Sequence, residues 1–244
     1  MSTYISLNAI ATDLLNIVRG SSISQSETIS KRQLENWIDQ YRAFLIKSDL
    51  DKGKVPNPDY IQEIDYLKLE VVDSAGDNQS PNNPFPLTSG EYILRSVLEL
   101  PNTIDLNFKS GFMFIGTVVG DEIQFVPEGR TKWQKFKKYT QNDTICFLRN
   151  NHLYILNNKP LTYISVRGVF EVPSEVARFV NPITNQPYFN IDSKYPIPAN
   201  MVPTLKQMIL KTELGLQVQS YSDTKNDSEN TTSPNVEGVQ QRKQ

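Results

Sequence analysis

The segment ETISKRQLENWIDQYRAFLIKSDLDKG, from Glu27 to Gly53, constrains the fold of this chain more than any other. With Ser30 as N-cap, Gln33 falls where a capping box places its partner, so two helix-start amides that would otherwise be unpaired gain acceptors. The spacing therefore predicts a helix from about Lys31, stopped by Gly53 and Pro56. Leu34, Trp37, Ile38, Tyr41, Phe44 and Leu45 recur at three- and four-residue steps and share one stripe. Two uses of that stripe are open at this point. Trp37 and Tyr41 belong either to the core of a helical pair or to a face presented to a neighbouring subunit.

A second stripe precedes it. Leu7, Ile10, Ala11, Leu14, Leu15 and Val18 follow the same spacing and Gly20 ends the run, which predicts an amphipathic helix over about 6–19. The polar linker GSSISQSETI is long enough to let the two helices pack antiparallel, so residues 1–56 are expected to form a helical hairpin. After Pro56 the period changes from helical to alternating. YIQEIDYLKLEVVD, YILRSVLEL, IDLNF, FMFIGTV, EIQFV, ICFLRNNHLYIL and TYISVRGVFEVP are rich in β-branched and aromatic residues and predict antiparallel strands. Gly120 with Asp121, and Asn150 with Asn151, supply tight turns. Residues 74–91, rich in Ser, Asn, Gly and Pro, predict an exposed loop, and SEVARFV a short helix.

The fold class expected is α+β. The helical hairpin (1–56) is followed by a β-rich central part (57–192), a small sheet or barrel with short helical insertions. A C-terminal helix lies within 193–215, where Pro196 and Pro198 precede an apolar face of Met201, Leu205, Met208 and Ile209. The tail 216–244 lacks the density of apolar residues needed for a core and is expected to order only on docking.

Several function classes lose support. The formal charge of −2 speaks against coating nucleic acid through overall charge. A single cysteine, Cys146, cannot form an intrachain disulfide, and a single histidine, His152, cannot build a metal cluster by itself. A reducing, cytosolic place of assembly fits, and the N-terminus lacks the pattern of a signal peptide. The longest apolar stretch, GFMFIGTVVG, is well short of the roughly 18 residues that a spanning helix needs, so no membrane partner is expected. No phosphate-cradling or dinucleotide glycine motif occurs, and DLDKG and DSAGDN do not follow the ligand alternation of a calcium loop. His152 sits beside a predicted bend with no nucleophile elbow, which points to an exposed turn histidine rather than a catalytic base. No enzyme activity and no cofactor are expected.

One local charge feature remains. In RTKWQKFKKY, Arg130, Lys132, Lys135, Lys137 and Lys138 alternate with Trp133, Phe136 and Tyr139. On a helix the three aromatics would share a face and pack on the sheet, leaving the lysines to water. Alternatively the segment meets an acidic protein partner, or follows a nucleic-acid backbone and stacks on bases. The structural use is the expectation.

The paired N-terminal blocks LNAIATDLLNIVRG and ETISKRQLENWIDQYRAFLIKSDLDKG, together with YPIPANMVPTLKQMILKTELGL followed by SDTKNDSEN, resemble structural proteins of short-tailed bacteriophages. The chain resembles the ring, or head-to-tail connector, protein of crAss-like phages. These blocks cover about a third of the chain at its two ends, and the β-rich middle carries no matching motif. The resemblance implies a virion component at the head–tail junction, assembled in the host cytoplasm, that binds beneath the portal as a twelve-fold ring and extends the DNA channel. The implied partners are the portal protein, neighbouring copies and other tail or ring proteins, with weak contact to channel DNA through Arg130 to Lys138 as an alternative. A tail-hub or other tail-proximal adaptor is the main rival. Under this resemblance Trp37, Tyr41, Arg42 and Phe44 are the expected subunit or portal contacts, and Ser222, Asp223, Asn226 and Asp227 the expected docking tail.

Overall fold

A computed structural model describes residues 5–20, 29–72, 93–106, 110–133, 136–139, 143–156 and 161–215. The expected exposed loop (74–91) and docking tail (216–244) lie outside them.

Helices α1 (Leu7–Gly20) and α2 (Lys31–Asp51) open the chain. The Ser30 hydroxyl accepts from the Gln33 amide at 3.1 Å, which fixes the start of α2 as expected. Lys31 Nζ donates to Asn8 Oδ1 at 2.6 Å, so the first turns of both helices lie within reach of one lysine side chain. Asn8 in turn donates to Asp192 at 2.8 Å, which ties this corner to the C-terminal lead.

Seven strands follow: β1 (Gln62–Val71), β2 (Ile93–Ser96), β3 (Phe112–Thr117), β4 (Gln124–Phe125), β5 (Ile145–Arg149), β6 (His152–Leu156) and β7 (Tyr163–Gly168). They form one sheet in the order β3-β7-β1-β2-β6-β5-β4, antiparallel except for the short β4–β5 pair. The sheet curls until its two edges meet. A bridge joins Gly116 to Glu122, the Ile123 amide donates to the Ile115 carbonyl at 2.8 Å, and the Phe112 and Phe125 rings lie 5.6 Å apart. The result is a nearly closed barrel, which hides most edge hydrogen-bonding groups.

Local chemistry explains the turns. Asn150 and Asn151 adopt φ of 48° and 60°, the left-handed conformation that Asn tolerates, and they join β5 to β6. Gly116 has no room for a side chain, because a Cβ there would lie 2.5 Å from the Asp121 carbonyl oxygen. That close approach is what lets the β3–β4 turn fold back on β3. Of the strand expected at IDLNF, the described residues 104–106 form no strand; Thr103 just before them bridges to Phe170, and the Ile104 amide donates to the Val169 carbonyl. The segment EIQFV yields only the two residues of β4.

A 3₁₀ turn at Pro173–Arg178 stands where a short helix was expected, and α4 (Val202–Thr212) follows the Pro-rich lead. The main core is continuous across these elements. Leu7, Ile10 and Leu14 of α1, Leu34 and Ile38 of α2, Leu205 and Ile209 of α4 and the inward residues Ile64, Ile164 and Val166 of the sheet are all buried in one cluster. Burial of such side chains supplies the dominant favourable term of folding.

Candidate functional site

The face of α2 does not divide as its stripe predicts. Leu34 and Ile38 are buried, Trp37, Tyr41 and Leu45 pack at the border of the core, and Phe44 is 59% exposed. The Tyr41 hydroxyl donates to Glu213 Oε1 at 2.7 Å, which holds the end of α4 against α2.

Arg42, expected as a surface anchor, has no exposure at all. Its Nε donates to the Pro196 carbonyl at 2.7 Å, Nη1 to Phe170 at 2.8 Å and Nη2 to Tyr60 at 3.4 Å, while the guanidinium lies 5.7 Å from the Tyr195 ring centre. One side chain thus links α2, the segment after β7, the turn before β1 and the C-terminal lead. Beside it the Tyr195 hydroxyl donates to Asp39 Oδ1 at 2.6 Å. Burial pushes Asp39 up to about 6, against the opposing pull of Tyr195 and Arg42. Burial also lowers the pKa of Arg42 and raises that of Tyr195. Arg42 is therefore occupied within its own chain.

The segment after β4 departs from expectation in the other direction. Helix α3 (Glu128–Thr131) is a single turn, and the aromatics beyond it do not pack on the sheet. Trp133 is 60% exposed, Phe136 80% and Tyr139 86%. Trp133 and Phe136 lie against each other at 6.0 Å, and Lys132 and Lys138 sit 5.6 and 5.3 Å from the Trp133 and Tyr139 ring centres. Arg130, Lys137 and Lys138 are exposed, and Lys135 lies outside the described residues. The physical reason is length: one turn of helix cannot keep residues three apart on a common face, so the aromatic spacing loses its meaning.

On the barrel's outer surface β1, β3 and β7 enclose a groove of about 260 Å³. Ile164 and Val166 of β7 point inward and are fully buried, which turns Tyr163, Ser165 and Arg167 outward. Arg167 pairs with Glu63 and lies 5.2 Å from the Phe114 ring centre. Ser165 Oγ, by contrast, is buried with no hydrogen-bond partner among the described residues. Asp65, on the irregular stretch of β1, has its pKa raised by burial and by the neighbouring Glu63 carboxylate, with Arg167 opposing.

A catalytic use of His152 finds no support in the geometry. His152 is not an exposed turn residue but opens β6, with its Nδ1 2.8 Å from the Ser96 carbonyl oxygen and Nε2 3.8 Å from Glu99. Ser96 Oγ lies 3.4 Å from the same Nδ1, yet Ser96 has no exposure and its Oγ already accepts from the Leu153 amide at 3.0 Å. A substrate has no route to that hydroxyl. Cys146 is buried on β5, and desolvation pushes its thiol up to about 12, which keeps it unreactive. Among the described residues no group of three His, Cys, Asp or Glu side chains could hold a metal ion, and no helix is long and apolar enough to cross a membrane.

A family model described as phage tail ring protein 2 matches residues 9–234. The chain belongs to the crAss-like phage tail ring protein 2 family. No curated protein matches it significantly. Membership gives the ring protein a structural role in a phage tail and covers the β-rich middle as well as the terminal blocks that carry the resemblance. Sequence reasoning did not find the groove of this ring protein, because Ser165, Asp65 and Phe114 come from three strands. The alternation of Tyr163, Ser165 and Arg167 was the one available signal.

Proposed function

We propose that this chain forms a homo-oligomeric ring, of about twelve copies as the resemblance to head-to-tail connector proteins implies, that joins the portal to the tail and extends the DNA channel. The family match over 9–234 carries this proposal. Support comes from a core that is complete within one chain while large apolar side chains remain on its surface. The outer face of α2, with Phe44 exposed beside the half-buried Trp37 and Tyr41, is the proposed contact with the portal or an adjoining ring. The tail carrying Ser222, Asp223, Asn226 and Asp227 is the proposed docking segment, ordered at the cost of its conformational entropy when it meets a partner.

The test is the mass of the full-length protein, alone and mixed with portal, by light scattering with negative-stain imaging. A ring, alone or formed on the portal, is expected; a monomer that ignores the portal sinks the proposal. Phe44→Ala should weaken portal attachment while changing stability by less than about 0.5 kcal/mol. Deleting residues 216–244 should also weaken attachment, and full binding by the truncated chain would remove the tail from the proposal.

A further inference from the structure

A ring closes by heterologous contact, in which two different patches on opposite flanks of one subunit meet their counterparts on the next. The barrel offers such a pair. Going round the sheet from β7, the strands β1, β2 and β6 separate it from β5 one way, and β3 and β4 the other. The groove centred on β7 and the aromatic, lysine-bearing segment that leads into β5 therefore face away from each other. The latter is anchored on the β5 flank by the pair Arg149–Glu128, at 3.2 Å.

Their chemistry is complementary. The groove has aromatic walls in Tyr66 and Phe114, the carboxylate of Asp65, the cation Arg167, whose charge is met by Glu63 outside the lining, and the unpartnered Ser165 hydroxyl on its floor. The opposing segment offers Phe136 and Tyr139 almost fully exposed, with Lys137 and Lys138 between them. Neither lysine has a carboxylate within ion-pair reach among the described residues. Size permits the fit. A cavity of roughly 150 Å³ holds a benzene molecule, and this groove, at about 260 Å³, is larger. An exposed ring alone gains little where it stands, whereas a ring seated in a pocket with a flanking cation opposite a carboxylate gains both burial and steering.

We propose that residues Phe136–Tyr139 of one copy seat in the β1–β3–β7 groove of the next, with Phe136 or Tyr139 between Tyr66 and Phe114 and Lys137 or Lys138 opposite Asp65. This inference rests on the ring function proposed above and names the contact that builds the ring. It makes the basic segment a self-association element rather than a DNA contact.

Charge reversal in the full-length chain tests it, since the arm residues are exposed and their replacement leaves the core untouched. Lys137→Glu with Lys138→Glu should weaken self-association by at least about tenfold, as should Asp65→Lys, and combining them should restore it to within about threefold of wild type. In a Cys146→Ser background, Phe136→Cys together with Val118→Cys at the groove rim should give a ladder of disulfide-linked oligomers under mild oxidation, and a mixture of the single variants only dimers. Normal assembly and no ladder, in a wild type that forms rings, overturns this contact and leaves the ring function standing. A wild type that stays monomeric, alone and with portal, overturns both. If the lysine variants assemble normally but lose filter retention of single- or double-stranded DNA at low salt, the segment is a DNA contact and the inference falls.

Discussion

Two regions of this molecule use the same residue types to opposite ends. Around Arg42 a cation, a carboxylate and two tyrosines are sealed inside, and every hydrogen bond described for the guanidinium goes to a backbone carbonyl of the same chain. Around Lys132 to Tyr139 cations and aromatics stand in solvent, held to each other by little more than ring contacts. Residue type alone does not distinguish a structural staple from an interaction surface. The difference lies in desolvation: a buried guanidinium must be satisfied completely or it destabilises the fold, whereas an exposed lysine costs almost nothing until a partner covers it.

The largest effect that would sharpen this contrast is at Arg42. Arg42→Ala should cost about 3–5 kcal/mol in urea unfolding, because several buried carbonyls lose their donor at once. A loss below about 1 kcal/mol would mean that the carbonyls find other partners and that the staple is dispensable. Asp39 comes next and has a definite sign. Its folded pKa of about 6 lies above the ordinary 3.8, so the folded state binds the proton more tightly. Stability from this group is fully present below pH 4 and is lost as pH rises through 6. Wild type should therefore lose about 2–3 kcal/mol relative to Asp39→Asn between pH 4 and pH 7, and parallel stability profiles for the two proteins would refute it.

Smaller effects probe the border between the two regimes. Tyr41→Phe removes the bond to Glu213 at a half-exposed site and should cost about 0.5–1 kcal/mol, seen as a lower urea midpoint with an unchanged slope. Phe136→Ala and Lys138→Ala should each change monomer stability by less than about 0.5 kcal/mol, measured under conditions that keep the chain dissociated. A larger loss at either position would place the segment in the fold and erase the comparison.

Membership of a phage ring family was legible from the two ends of the chain, where helical blocks with distinctive caps stand. The β-rich middle matched no motif, since alternating strands of similar composition occur in many unrelated folds. Of the expected contact residues, Phe44 is on the surface, Trp37 and Tyr41 are at its border, and Arg42 is inside. Helical spacing found an amphipathic α2 but not the direction of its burial, since the buried residues Leu34, Ile38, Asp39, Arg42 and Ile46 centre roughly a quarter-turn from the expected stripe. It could not say how far round the helix the core extends, because that depends on what packs against it.

The sequence by itself determined what a few neighbouring residues decide: the Ser30 cap that starts α2, the Asn150–Asn151 turn, the alternation that orients β7 and the polar composition of the tail. Each rests on contacts or preferences within a handful of positions, where the chain has few alternatives. Only the tertiary structure decided the burial of Arg42, whose acceptors Pro196 and Phe170 lie 154 and 128 residues away. It also decided the meeting of β3 with β4 that nearly closes the barrel, the groove assembled from three strands and the exposure of Trp133, Phe136 and Tyr139. Those outcomes turn on which distant surfaces remove each other from water, and that competition is settled by the whole fold at once.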